Sequence, residues 1–386
     1  MKKNRKGGSV MEGYRRTWAE ISMEALAFNY RQLRAHVPAE TKFLGVVKAD
    51  AYGHGAPAIA RKLEELGADF FAVATLDEAM ELRQNGISRP ILILGWVPPQ
   101  FALLEAEQEI RQEVGEISQA RRLNAALEGS GKQLRIHLKL DTGTSRLGFF
   151  AYDRPETIEE LAEIAAMPNL KIEGVFQHFC AADSHEEEPQ AFTALQYERF
   201  CSMLQQMESW GIRPEIRHCC NSAAAVIHPE YAMDMIRPGI VTYGYPPDPC
   251  MADDLELKPL LTLKTTVAQI RDYPADIAVS YGRTWKTSGP TKIATLTIGY
   301  ADGLDRRLSS RVKFLLRGKP VQQVGRICMD MCMVDISNVP EAEVGDEVTV
   351  IGLESPVTCA EMAEMLQTIP YEITCGIGKR VPRYYL

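Results

Sequence analysis

The stretch FLGVVKADAYGHGAPAIARKLEELGADFFAVAT, residues 43–75, carries the reading of the fold. It opens on the apolar run Phe43–Lys48 and closes on another, Phe70–Thr75. Both are rich in Val, Leu and Phe, as strands buried on both faces are. Between them, Ala56–Gly67 has helical patterning and ends on a glycine placed to cap it. The unit reads strand, helix, strand. No G-x-G-x-x-G follows the first strand, which weakens an open, doubly wound sheet as the runner-up.

The same alternation extends to residue 244. Further apolar runs lie at Pro90–Gly95, Leu134–Asp141, Ile172–Phe179, Glu215–Cys220 and Met235–Gly244, with a weaker one near Glu109–Gly115. Thr75 and Glu78 form a capping-box signature ahead of Ala79–Gly86, and Pro189–Gly211 reads as a long helix. This predicts an α/β fold, an N-terminal (β/α)8 TIM-type barrel. Past the linker-like Pro246-Pro247-Asp248-Pro249 the texture changes. Leu260–Arg271, Thr291–Tyr300, Val312–Leu316, Val321–Ile336 and Glu347–Ile351 read as strands without helices between them, with one helix near Cys359–Leu366. The expected organisation is a barrel over 14–248 and a C-terminal, mostly antiparallel β-domain over 249–386.

Composition excludes several classes. The 386 residues carry 43 basic and 51 acidic side chains, a net charge of −8 that argues against a general nucleic-acid binder. No apolar run is long enough for a membrane span. The basic N-terminus (Lys2, Lys3, Arg5, Lys6) is not followed by the apolar run of a signal peptide. Nine cysteines, an odd number with no C-x-x-C pair, fit free thiols in a reducing cytoplasm. Neither the cysteines nor the seven histidines have metal-ligand spacing, so no metal is expected.

A barrel's chemistry sits at the C-terminal ends of its strands. Polar residues stand at five such ends: Lys48; Asp141 to Arg146; His178; Asn221-Ser222; and Arg237 before Pro238-Gly239. A lysine at the end of a buried strand is desolvated, which frees the neutral amine to form a Schiff base. Ser222 at a helix start, with the backbone of Pro238-Gly239-Ile240, suits a phosphate. The two together suggest pyridoxal 5′-phosphate, although aldolase chemistry would use the same parts without a cofactor.

At this point nine motifs resemble those of the bacterial alanine racemase family, in the family's order. They are VKADAYGHG (47–55), KLDTGTSRLGF (139–149), QHF (177–179), NSAA (221–224), RPGIVTYG (237–244), VSYG (279–282), IGYADG (298–303), GRICMDMCMVDIS (325–337) and TIPYE (368–372). The resemblance implies a pyridoxal-phosphate isomerase working as a head-to-tail homodimer, supplying D-alanine for the cell wall. Lys48 would hold the cofactor and act as one base; Tyr281 from the other subunit would be the second. Arg237 would face the pyridine nitrogen. Tyr52, Ser222, Gly239, Ile240 and Tyr371 would hold the phosphate. Arg146 and the backbone of Met329 would bind the substrate carboxylate. His178 would sit against Tyr281, the pair His178 and Arg237 making a cationic neighbourhood for the tyrosinate. Lys139, carbamylated in many members, Tyr300 at the entry channel and Asp330 would support the site. Asp50, Thr144-Ser145, Cys180 and Cys219-Cys220 depart from the family's usual residues, which bears on pocket size and thiol sensitivity. A serine-preferring or broad-specificity racemase of the same fold is the alternative, and retained Tyr371 favours alanine.

Overall fold

The structure, a computed structural model, describes residues 15–386. The basic N-terminal residues and Tyr14 lie outside this range. The chain forms two compact units, one spanning Ala25–Lys258 and the other joining Pro259–Leu386 to the segment before Ala25. Residues 249–258 therefore fall with the barrel, ten residues past the boundary expected from Pro246–Pro249. The first strand, β1 (Thr17–Ile21), belongs to the second unit rather than to the barrel. The reason is pairing: β1 lies antiparallel against residues 261–265, Thr17 opposite Thr265.

The barrel strands are β2 (Lys42–Val46), β3 (Phe70–Val73), β4 (Ile91–Ile93), β5 (Ile110–Val114), β6 (Leu134–Asp141, with the short β7, Phe149–Phe150, beside it), β8 (Leu170–Phe176), β9 (Ile216–His218) and β10 (Met235–Ile236). They are parallel neighbours in the order β10-β2-β3-β4-β5-β6-β8-β9. Backbone bonds from Asp234 N to Arg217 O (3.1 Å) and from Arg237 N to Cys220 O (3.0 Å) join the last strand to the first and close the ring. The weak run at 109–115 is a full strand. The run Met235–Gly244 yields only two strand residues, because Pro238 has no N–H for a ladder, and Ile240–Tyr243 turns as a 3-10 helix.

Local signals hold where they are local. Helix Ala56–Leu66 ends on left-handed Gly67, and Thr75 and Glu78 make both bonds of the capping box on helix Leu76–Gln84. The interior of the ring departs from the apolar filling usual in such barrels. Arg111, Glu113, His137, Lys139, Glu173, His218 and Arg237 are all buried. One cause is visible in the register. Ile136 faces Ile172 but His137 faces Gly174, so Glu173 is the extra residue of a β-bulge on β8. A bulge re-aims a side chain, and here the carboxylate reaches His137, buried between the strands.

The second unit is an eight-stranded sheet built on β11 (Leu261–Tyr273). A small hairpin, β12 (Ala278–Val279) and β13 (Trp285–Lys286), stands off it. The remaining strands are β14 (Thr291–Leu296), β15 (Lys313–Leu316), β16 (Lys319–Val324), β17 (Cys332–Asp335), β18 (Glu347–Ile351) and β19 (Arg383–Tyr385). All its pairings are antiparallel except β1 with β19. The expected single run Val321–Ile336 is two strands, and the loop between them carries Met329 and Asp330. The expected helix is present at Cys359–Leu366, followed by a second, Pro370–Cys375. Among the described residues no helix is long and apolar enough to cross a membrane. All nine cysteines are free thiols.

Candidate active site

Lys48 does not end a strand; β2 stops at Val46. The lysine instead opens a left-handed turn in which Ala49, Asp50, Ala51 and Tyr52 all have φ between 52° and 54°. Each non-glycine residue in this region costs roughly 1–2 kcal/mol, so four in a row persist only if the surroundings hold them. Three side chains do. Glu78, the capping-box residue, accepts from Ala49 N at 2.6 Å. Asp50 Oδ1 accepts from Ala56 N at 2.8 Å, at the start of the next helix, which gives this departure from the family pattern a structural role. His54 Nδ1 lies 2.9 Å from Ala51 O and 3.0 Å from Tyr52 O, and its ring stacks on Tyr243. Tyr243 is anchored in turn through its hydroxyl to Val46 O.

The turn delivers Tyr52 to the loop that follows the neighbouring strand β10. Ser222 Oγ accepts from Gly239 N at 2.8 Å. A Cβ on Gly239 would stand 2.6 Å from Tyr52 Oη and 3.6 Å from Ser222 Oγ. Two hydroxyls and a backbone amide thus converge on one point that only glycine leaves open. Ile240 follows, buried, at the head of its 3-10 turn. Four of the five expected phosphate residues meet here. The fifth, Tyr371, lies in the other unit on helix Pro370–Cys375.

Arg237 is buried, and both terminal nitrogens of its guanidinium have acceptors. Nη2 donates to Gln177 O (2.9 Å) and Cys219 O (3.2 Å) and lies 3.4 Å from His178 Nδ1; Nη1 lies 3.3 Å from His218 Nδ1. Burial lowers its pKa to about 10, which leaves it charged at neutral pH. His178 differs from expectation. Burial, reinforced by Arg237, Lys139, Arg146 and Lys48, holds its pKa well below 6.5. It is a neutral imidazole, and because arginine can only donate, His178 accepts at Nδ1 and carries its proton on Nε2. It offers a donor, not a cation; Arg237 alone of that pair is charged.

Lys139 is buried, donates to Leu140 O at 2.9 Å, and burial lowers its pKa to about 8 despite nearby Glu113. Glu113, on β5, was not singled out from sequence; burial raises its pKa against the pull of Lys139, Arg146, Arg237 and Lys48. Arg146 is exposed on the loop between β6 and β7. Of the departing cysteines, Cys219 is buried with its thiol on Tyr231 O, and burial pushes its pKa well up, so it is poorly reactive, whereas Cys180 is exposed.

The remaining candidates share the second unit. Tyr281 is 68% exposed and Met329 53%. Ser280 Oγ donates to Arg326 O (2.6 Å), and Tyr300 N donates to Cys328 O (3.0 Å), which ties the three loops together. Tyr300 edges a cavity of about 690 Å³ lined also by Arg306, Thr368 and Glu372. Asp302, inside the IGYADG motif but given no role there, organises this region. It is bonded by Arg16 (2.7 and 3.0 Å), Arg380 (2.8 Å) and Gly299 N (2.9 Å). Arg380 also pairs with Asp330 at 2.8 Å. Burial raises the pKa of Asp302, but these bonds outweigh it and hold the carboxyl below its ordinary 3.8. Its contribution to stability is therefore present at neutral pH and is lost as pH falls through the depressed pKa. Asp302→Asn, which keeps one acceptor oxygen but loses the charge, is expected to cost about 1.5–3 kcal/mol in urea unfolding at neutral pH and to flatten the acid limb of the stability profile.

A parallel barrel with a lysine just past a strand end and a hydroxyl-and-amide cradle on the same rim is the layout of a barrel enzyme for a phosphorylated small molecule. The chain matches the family models for the alanine racemase N-terminal domain over residues 21–247 and C-terminal domain over 260–385. It belongs to the alanine racemase family. It is 42% identical over 373 residues to the alanine racemase of Desulfovibrio desulfuricans, covering 96% of this chain and 98% of that one. The alanine racemase structure from Clostridium difficile superposes with a TM-score of 0.91 at 37% identity, covering 96% and 95%. That from Bacillus anthracis, solved with bound L-Ala-P, gives 0.91 at 33% identity, covering 97% and 95%.

Proposed function

We infer that this chain interconverts L- and D-alanine, using pyridoxal 5′-phosphate in a homodimer that shares its active sites. The observation that carries this is the cradle of Tyr52, Ser222 and Gly239 beside Lys48 in a chain of this family along its length. The donors suit a phosphate: two hydroxyls and an amide, with no carboxylate among them. Bound there, pyridoxal phosphate would supply an electron sink that makes the substrate's α-proton removable. Lys48 would hold it covalently.

The rest is work for this chain's side chains. Racemisation takes a proton from one face of the α-carbon and returns one to the other, so two bases are needed. Lys48 serves one face and Tyr281 of the partner subunit the other. Exposed Tyr281 and Met329 on the second unit suit that exchange, being large apolar groups awaiting a surface. His178, neutral, offers its Nε2–H to the tyrosine oxygen. Arg146, with the Met329 backbone, holds the substrate carboxylate, and Lys139 supports Arg146. Arg237 stays protonated beside the pyridine nitrogen and yields it no proton, which keeps the sink weak. Tyr371 completes the phosphate site, Tyr300 lines the entry and Asp330 braces the Met329 loop. The barrel unit is the cofactor domain, and the C-terminal unit reaches the partner's site. The free cysteines suit a cytoplasmic protein.

The deciding measurement follows α-proton loss from L-alanine in D2O by NMR, with chirality read by chromatography and L-serine in parallel. Rapid exchange with D-alanine appearing is expected. Exchange mainly from serine would move the assignment to the serine-preferring alternative, and no exchange by cofactor-loaded protein would overturn it. The cradle has its own test. Gly239→Ala places a methyl against Tyr52 Oη and is expected to raise the Kd for pyridoxal phosphate at least about tenfold, ~1.4 kcal/mol, in an absorbance titration.

A further inference from the structure

A chain of buried hydrogen bonds runs from Arg237 through the barrel interior. Arg237 Nη1 is 3.3 Å from His218 Nδ1; His218 Nε2 is 2.9 Å from His137 Nδ1; His137 Nε2 is 3.3 Å from Glu173 Oε2. His137 and His218 are wholly buried, and burial drives both toward the neutral form. The polarity of the chain follows from valence alone. Arginine only donates, so His218 accepts at Nδ1 and carries its one proton on Nε2. That proton goes to His137 Nδ1, which leaves the His137 proton on Nε2, facing a carboxylate that only accepts. Every bond points toward Glu173, and no other arrangement of two neutral rings satisfies all three contacts.

The anion at the end is itself secured. Arg111 donates to Glu173 at 2.9 and 3.2 Å, and Arg135 at 3.1 Å. The β8 bulge aims Glu173 at His137, and Gly174 leaves the room: a Cβ there would stand 2.4 Å from His137 Nδ1. The His218 ring is stacked on Phe176 at 4.8 Å. Were the chain reversed, His218 Nδ1–H would confront an arginine N–H, and the guanidinium would lose one acceptor and shift.

We propose that Glu173 is a positioning residue for Arg237: through His137 and His218 it fixes both rings as Nε2–H tautomers and so keeps the acceptor that holds the guanidinium in place. This rests on the reading of Arg237 as the residue at the cofactor ring. The experiment uses pyridoxal-phosphate-loaded protein labelled with 15N in its histidine rings. One bare Nδ1 and one protonated Nε2 are expected for His137 and His218 near neutral pH. Glu173→Leu, which leaves His137 Nε2–H without its acceptor, is expected to break that pattern in at least one ring and to lower kcat for alanine by about 10- to 100-fold with KM little changed. His137→Leu leaves Glu173 with its arginines, and the same kcat loss is expected, which covers a Glu173 variant that fails to fold. An Nδ1–H tautomer at either ring of the unsubstituted protein would overturn the proposal, as would an unchanged kcat in the variant that folds. The assignment of Arg237 fails separately, if Arg237→Ala leaves kcat unchanged while the tautomers stand as derived.

Discussion

Tyr281→Phe is expected to slow α-proton exchange from L-alanine by about 100- to 10,000-fold, the range for loss of a general base. Exchange from D-alanine, where Lys48 is the proposed base, should fall much less in a single turnover. The substitution removes one hydroxyl from a side chain that is 68% exposed, so the fold has little to lose. Isotope exchange measured before any net racemisation separates the two faces. Equal loss for both enantiomers would remove Tyr281 from its role. A shared site adds a second result. Mixed with Lys48→Ala chains, Tyr281→Phe chains should regain activity, because one site of each heterodimer then has both bases. No recovery after demonstrated subunit exchange would speak against sites built from two chains.

The second large effect concerns stability. Glu105 lies on the short helix Ala102–Glu107, fully buried, and among the described residues neither carboxylate oxygen has a hydrogen-bond partner. Burial raises its pKa from 4.5 to about 8. The sign follows from linkage. The unfolded chain ionises this group near 4.5 and the folded protein only near 8, so between them the carboxyl favours unfolding increasingly as pH rises. Above both values the cost is on the order of 5 kcal/mol at 1.36 kcal/mol per unit. Glu105→Met keeps the volume and removes the charge. Relative to the parent it should gain several kcal/mol more at pH 9 than at pH 5 in urea unfolding. A gain independent of pH would mean that the carboxyl is not held neutral by burial.

Much of this protein is readable along the chain. Apolar runs separated by capped helices announce the barrel because each signal is local: Thr75 and Glu78 are three residues apart, and Gly67 ends the helix it follows. Lys48, Ser222, Arg237 and Gly239 are legible because a barrel puts strand ends on one rim, and resemblance adds Tyr52. Resemblance supplied the roles of Tyr281, Met329 and Tyr371, which no periodicity would single out.

The polar interior was not readable. Strands buried on both faces do not alternate, so nothing in LRIHLKLD marks His137 as facing a second histidine 81 residues away. Only ring closure brings residues 111, 137, 173, 218 and 237 within hydrogen-bond range, and only a bulge turns Glu173 to His137. The left-handed turn after Lys48 contains no glycine until Gly53, so local propensity opposes it; Glu78, from the next helix but one, holds it from outside, and Asp50 and His54 brace it from within. The charge of His178 belongs here too, since burial beside Arg237 keeps it neutral where its sequence position suggests a cation. Strand β1 joins the distant sheet because β11 offers it an edge, a partner about 245 residues further on. Which elements form is decided by neighbours in sequence; which side chains share a proton or a charge is decided by the desolvated contacts that closure of the barrel creates.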